Sequence, residues 1–381
     1  MATQFSINDG KPWKATFFTI WSGQALSILG SQLVQFALIW YLTVTTGSAT
    51  VLATASLVGM LPGVILGPLA GTLVDRWNRR RVMLLADGLI ALATIGLAVL
   101  FALNSAEIWH IYVLMFIRSL AGGFHSNAMT ASTSLMVPVE QLTRIQGLNQ
   151  MLNGGLNVVA APLGALLLAV LSIPAILAID VITALVAVGP LCVIRIPQPE
   201  RIERRAGPVA GAPQPTVWQD FQAGFRFMLG WPGLLVIGLM TVGINFTIIP
   251  AFSLLPLLVK DYFGGGAIQL GWVESAMGIG IIGGGALLGV WGGFERKILT
   301  SMLGLAGLGT GTLILALAPP WALSLAIGGA LLVGVMHSLT MGPFFAVLQS
   351  TVEPDMQARI FSLMSSVGGV MAPLGLAIAG P

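Results

Sequence analysis

FIRSLAGG, residues 116–123, sets an arginine among apolar and small residues. Arg118 lies about eleven residues into a stretch, 108–136, that is long enough to cross a membrane. A charge at that depth is costly, so Arg118 is expected to face the inside of a helix bundle and to have a task there. One task is acid–base: a guanidinium holds a neighbouring carboxylate ionised, and protonation of the carboxylate releases the guanidinium. The alternative is a static arginine hydrogen-bonded to backbone carbonyls. Asp87, Asp180 and Glu274 are carboxylates inside other apolar stretches. Asp87 stands six residues into 81–103, near the loop arginines, where it is expected to make a structural or gating contact, with proton carriage as the alternative. Asp180 and Glu274 sit in the outer parts of their stretches, as protonation sites or as groups reaching the interface. Gln24, Gln32 and Gln35 share the first stretch. Gln24 and Gln35 are eleven apart, about three turns, and Gln32 falls on much the same side. With Asn127 and Asn245 they either line a central cavity or bond between helices. Nearby Trp and Phe side chains suit a bulky, partly apolar guest.

Other chemistries find little to work with. Cys192 is the only cysteine, which leaves no intrachain disulfide or thiolate cluster. His110, His125 and His337 are dispersed and set no metal-ligand spacing. There is no GxxxxGK[ST] phosphate loop and no cluster of His, Asp or Cys of the kind an enzyme would need. The expectation is a chain without cofactor or metal that is not an enzyme. The net charge of +3 comes from arginines in short loops, which in such a chain orient the protein and do not bind nucleic acid.

These residues must be positioned by elements that live in lipid. Of the 381 residues 56% are hydrophobic and 8% charged, and the mean hydropathy is +0.92. A soluble domain carries roughly 25% charged residues. Spans are expected near 17–42, 49–73, 81–103, 108–136, 146–170 and 174–194, then near 232–257, 267–291, 298–318, 321–348 and 358–380. That makes eleven. No cleavable signal peptide is expected ahead of the first, which has the length of a full span and no small-residue cleavage site behind it. With the N-terminus on the cytoplasmic side, all but Lys260 and Arg118 of the 17 basic residues fall on that side or in its loops. The interval 195–231, rich in Pro, Gly and charge, reads as a cytoplasmic linker between 1–194 and 232–381. Trp218, Phe221, Phe225 and Met228 within it have the spacing of an interfacial helix.

The two parts echo each other. PVEQLTRIQGL (138–148) follows the fourth span and EPDMQARIFSL (353–363) the tenth; APLG recurs at 161–164 and 372–375. Basic residues recur after the second span of each part, as DRWNRRR (75–81) and as Arg296 and Lys297, but Gly293 stands where Asp75 stands. Such repeats mark secondary transporters. A second part that mirrors the first would have a twelfth span after Pro381, so either the chain is truncated or the architecture has eleven spans; the symmetry favours truncation.

GTLVDRWNRR (71–80) resembles the loop signature of the major facilitator superfamily, whose roles map onto Gly71, Asp75, Arg76, Arg79 and Arg80, with Asn78 where many members have glycine. RSLAG (118–122) is similar to the fourth-span signature implicated in proton coupling in drug antiporters. The fifth-span signature is reduced to APLG, which weakens its hinge role. WSGQALSILGSQLVQFAL, FIRSLAGGFHSNAM, LMVPVEQLTRIQGLNQ and AIDVITA resemble the macrolide-efflux and siderophore-exporter branch. The resemblance implies an all-α polytopic membrane protein with two six-helix halves, here with the twelfth helix missing. It implies a bacterial cytoplasmic-membrane transporter, monomeric, that uses protons to export a hydrophobic or amphiphilic small molecule by alternating access. Arg118, Asp180 and Glu274 are then candidates for proton coupling, and Gly71, Asp75, Arg76, Arg79, Arg80 and Asp87 for a conformational latch. An importer of the same fold, a membrane enzyme and a non-transporting receptor are the alternatives.

Overall fold

The computed structural model describes residues 13–194, 196, 230, 232–351 and 368–380, and some side chains within them, including those of Gly71, Asp75 and Arg76, lie outside the description. The linker and its expected interfacial helix also lie outside it, as does the repeat at 353–363. Every regular element described is helical. We number them α1 (Trp13–Thr46), α2 (Ala49–Arg76), α3 (Arg79–Ala102), α4 (Ile108–Met136), α5 (Val139–Val170), α6 (Ile173–Val193), α7 (Pro232–Ser253), α8 (Ala267–Trp291), α9 (Lys297–Leu317), α10 (Leu323–Thr351) and α11 (Gly368–Ala379).

Among the described residues, nine helices are long and apolar enough to cross a membrane. The protein is therefore a multi-pass, all-α membrane protein. α4 is 29 residues long but more polar, because Arg118, His125 and a run of Ser, Thr and Asn interrupt it. α7 is followed by a short turn, Leu255–Leu257, and a π-helical turn, Leu258–Tyr262. Pro250 precedes that break and Pro256 lies within it, and each lacks the N–H that a regular helix would use there.

The chain divides into two compact units. The first comprises residues 1–38, 58–153 and 170–203. In it α3 packs against both α4 and α6. Phe17, Ile20, Val74, Met83, Ala128 and Leu191 are part of its apolar core. α1 approaches α6 through glycines two turns apart. A Cβ on Gly23 would lie 3.2 Å from Ala187 Cα, and one on Gly30 would collide with Thr183 Oγ1. Small residues let helices close to this distance in lipid.

The second unit comprises residues 39–57, 154–169 and 204–381. α10 packs against α8 and α9 almost backbone to backbone. Gly280, Gly284 and Gly334 meet across α8 and α10, and Gly304, Gly311 and Gly329 across α9 and α10, with no room for a Cβ at any of them. The Ser275 hydroxyl on α8 donates to Val158 O on α5 at 3.2 Å, and the Thr50 hydroxyl on α2 donates to Gly380 O at 2.8 Å.

Candidate functional site

Four helices of the first unit bring together one buried ion pair. Arg118 on α4 donates through Nη1 to Asp180 Oδ2 on α6 at 2.6 Å. The side chains are 11% and 2% exposed. Arg118 Nη2 donates to Ser31 O on α1 at 3.1 Å, and the Ser31 hydroxyl donates to Asp180 Oδ1 at 3.1 Å. Thr94 on α3 accepts from Arg118 and donates to Asp180 Oδ2, both at 3.4 Å. Both carboxylate oxygens thus have donors, which is what an ionised buried carboxylate requires. The layer carries no net charge. Gly30 permits it: without a side chain there, α1 reaches Thr183 and Asp180 directly.

A second polar layer lies on the same helices. Asp87 on α3 is 6% exposed and accepts from Gln24 Nε2 on α1 at 3.3 Å. His125 Nε2 on α4 lies 3.4 Å from Asp87 Oδ1, within ion-pair range, yet has no hydrogen-bond partner among the described residues. Gln24 and His125 line a cavity of about 350 Å³ bounded by α1, α4 and α5. Trp21 and Asn149 are on its wall and are joined by an indole N–H to Oδ1 bond of 2.8 Å.

The loop between α2 and α3 is held from below by its own residues. Asn78 caps α3 by accepting from Arg81 N at 3.1 Å. Glycine in that place would offer no such acceptor. Arg79 donates to Ala131 O on α4 at 2.7 Å, and Arg80 donates to Leu191 O and Cys192 O at the end of α6. The last carbonyls of α6 lack intrahelical donors and Arg80 supplies them, whereas Ala131 O lies more than a turn inside α4. These arginines therefore tie the start of α3 to α4 and to the end of α6, whatever part they play in orienting the chain.

The structure joins Arg118 with Asp180, and Asp87 with Gln24. Glu274 is half-buried on α8 in the second unit, and Asn245 half-buried on α7. Gln35 and Asn127 are half-buried and Gln32 is exposed; none of the three is among the residues lining the cavity. Eight residues turn Gln32 about 80° from Gln24, which suffices to take it off that face. Ser31 and Thr94 were not singled out from the sequence, and His125 stood there only as one of three dispersed histidines. Their signal is a spacing: Gln24 and Ser31, Asp87 and Thr94, and Arg118 and His125 are each seven residues apart.

A polytopic helical chain with a buried intramembrane ion pair fits the architecture of a membrane transport protein. The profile of the Major Facilitator Superfamily matches residues 20–376, and the chain belongs to that family. It is a transporter and not an enzyme. Macrolide efflux protein A of Streptococcus pyogenes is 34% identical over 367 residues, which cover 96% of this chain and 89% of that protein. Macrolide efflux protein A of Enterococcus faecalis is 32% identical over 330 residues, covering 87% of this chain and 100% of that one. Among solved structures, a bacterial homologue of the human lysosomal transporter Spinster shares the fold, with a TM-score of 0.70 at 14% identity, covering 97% of this chain and 82% of that one.

Proposed function

We propose that the protein exports a hydrophobic or amphiphilic small molecule, of macrolide or siderophore type, in exchange for protons. The observation that carries this reading is the Arg118–Asp180 pair at 2.6 Å. Asp180 ionised is held by Arg118, Ser31 and Thr94. Asp180 protonated loses the charge that holds Arg118, and the hydrogen bonds linking α1, α3, α4 and α6 must rearrange. A proton is thereby converted into a change of packing, which alternating access between two six-helix halves requires. The names of the relatives support the macrolide type of cargo. The protein acts as a monomer in a bacterial cytoplasmic membrane, with its N-terminus inside.

Inverted vesicles containing the protein test this. With a vesicle interior more acidic than the bath, radiolabelled erythromycin is expected to accumulate, and a protonophore to abolish the accumulation. Asp180→Asn is expected to insert in the membrane and to lose the gradient-driven part. Accumulation that ignores the gradient, or that survives Asp180→Asn unchanged, overturns the proposal.

A further inference from the structure

A proline inside a helix leaves the carbonyl four residues before it without its usual donor. In this protein such carbonyls lie at helix contacts. Pro190 frees Val186 O on α6, and a Cβ on Gly23 of α1 would stand 3.3 Å from it. Pro250 frees Phe246 O on α7, and a Cβ on Gly375 of α11 would collide with it. Neither glycine has a side chain to give. Pro162 frees Val158 O on α5, and here the facing helix supplies a donor: the Ser275 hydroxyl of α8, at 3.2 Å. Gly271 and Gly278, four residues before Ser275 and three after it, let α8 lie on α5 at this point. A Cβ on Gly271 would stand 3.1 Å from Pro162 Cα, and one on Gly278 3.1 Å from Asn157 O.

The Ser275 hydroxyl stands between two acceptors, Val158 O at 3.2 Å and Gly271 O of its own helix at 2.6 Å. It has one proton to give. The acceptors are unequal. Gly271 O already receives the Ser275 N–H within the helix. Val158 O receives nothing from Pro162. Given to Val158 O, the hydroxyl proton satisfies both helices. When α5 and α8 separate, the hydroxyl turns to Gly271 O, as serines in helices commonly do, and no donor is stranded. Only Val158 O is then left to find water. A related bond joins α2 and α11. α2 and α8 are the second helices of the two sequence parts, and α5 and α11 carry APLG. The Thr50 hydroxyl on α2 donates to Gly380 O, just past the end of α11, at 2.8 Å. In both directions a hydroxyl on the second helix of one part reaches a backbone carbonyl of the APLG segment of the other. All of these residues lie in the second unit.

We propose that Ser275 is a positioning residue of the transport cycle: a hydroxyl catch that holds α8 to α5 through the carbonyl freed by Pro162, and that releases by turning its proton to Gly271 O. The proposal rests on the transport reading above, in which one face of the protein opens while the other closes. With the N-terminus inside, the end where α5 finishes and α8 begins is the outer face. The catch then holds that face shut, and its strength sets how often the face opens. Ser275 belongs neither to the Arg118–Asp180 layer nor to the cavity wall, so it acts through the helices it joins.

Separation of the two helices is read at Ala165→Cys in a Cys192→Ser background. Ala165 is 1% exposed, and its Cβ faces Gly271 of α8. The full chain is placed in lipid nanodiscs, where both faces are open to reagent, and the rate of labelling by a membrane-impermeant maleimide is measured. Ser275→Ala is expected to raise that rate about fivefold, the weight of one neutral hydrogen bond. Ser275→Thr keeps the hydroxyl and is expected to stay within about twofold of the parent. Pro162→Ala returns an N–H to Val158 O. In that background Ser275→Ala is expected to change the rate by less than about twofold. A side chain that only filled space would not sense the proline. Equal effects of Ser275→Ala in both backgrounds therefore overturn the proposal, and so does a parent rate that Ser275→Ala leaves unchanged. Should Pro162→Ala fail to fold, the contrast between Ser275→Ala and Ser275→Thr decides, and equal rates for those two overturn the catch. Labelling needs neither gradient nor cargo. Gradient-driven erythromycin uptake alongside labelling that is blind to Ser275 removes the catch and leaves the transport reading standing. Labelling that follows Ser275 without any gradient-driven uptake does the reverse.

Discussion

Asp180 and Arg118 each need the other. Removing one partner of a buried pair leaves the remaining charge without compensation, at a cost of about 3–5 kcal/mol. Replacing both removes that cost, because no stranded charge is left. Asp180→Asn is therefore expected to lower the thermal unfolding midpoint in detergent clearly, and the double variant Arg118→Gln/Asp180→Asn to recover much of the loss. Equal losses in the single and double variants would show that the pair contributes no coupling. Arg118 was legible in the sequence because depth in an apolar stretch makes a charge expensive. Its partner was not, since no sequence spacing measures the distance from α4 to α6; Asp180 was one of three carboxylates that qualified. Ser31 and Thr94 were missed for another reason. Hydroxyls are common in membrane helices and usually bond to their own backbone, as Thr43 does to Ile39 O at 2.8 Å.

At the scale of elements, most helices lie where hydropathy places them, and the departures have physical causes. α1 begins at Trp13 and α5 at Val139, both ahead of the expected spans. The extra residues are helix formers too polar to register as apolar, such as the segment VEQLTR. The break after α7 escapes a hydropathy reading because Leu254 to Val259 is apolar throughout; Pro250 ahead of it and Pro256 within it were its trace. Helix contacts were less legible than helix positions. Glycines abound in the sequence, and only the structure separates those at contacts from those facing lipid. Gly30 and Gly96 make the comparison. A side chain at Gly30 meets Thr183 and Asp180, whereas one at Gly96 meets nothing within 4 Å. Gly30→Val is expected to cost about 1–3 kcal/mol through overpacking. Gly96→Ala is expected to be neutral or stabilising by roughly 0.5–1 kcal/mol. Unfolding midpoints of the two purified variants check this, and a tolerant Gly30→Val would refute the close α1–α6 contact.

For the whole molecule, the distribution of arginine and lysine sets an orientation that labelling can read. Cys192 is the only native cysteine and is exposed, so one substitution, Cys192→Ser, clears the background. Ser105→Cys, between α3 and α4, is then expected to react with a membrane-impermeant maleimide added to intact cells. Arg296→Cys, between α8 and α9, is expected to react only in inverted vesicles. The opposite pattern would place the N-terminus outside.

The glycine contacts of α8, α9 and α10 have a consequence for how such a bundle holds together. Two apolar helices in lipid gain little by exchanging lipid tails for leucines, so association must rest on close packing. Side chains that pack normally lose rotamer freedom, up to about 2 kcal/mol each for the longest. Where Gly280, Gly284 and Gly334 bring backbone against backbone, there are no χ angles to freeze. The close packing at these glycines is thus obtained with little loss of side-chain entropy, and these contacts have few rotamers through which they could soften on warming.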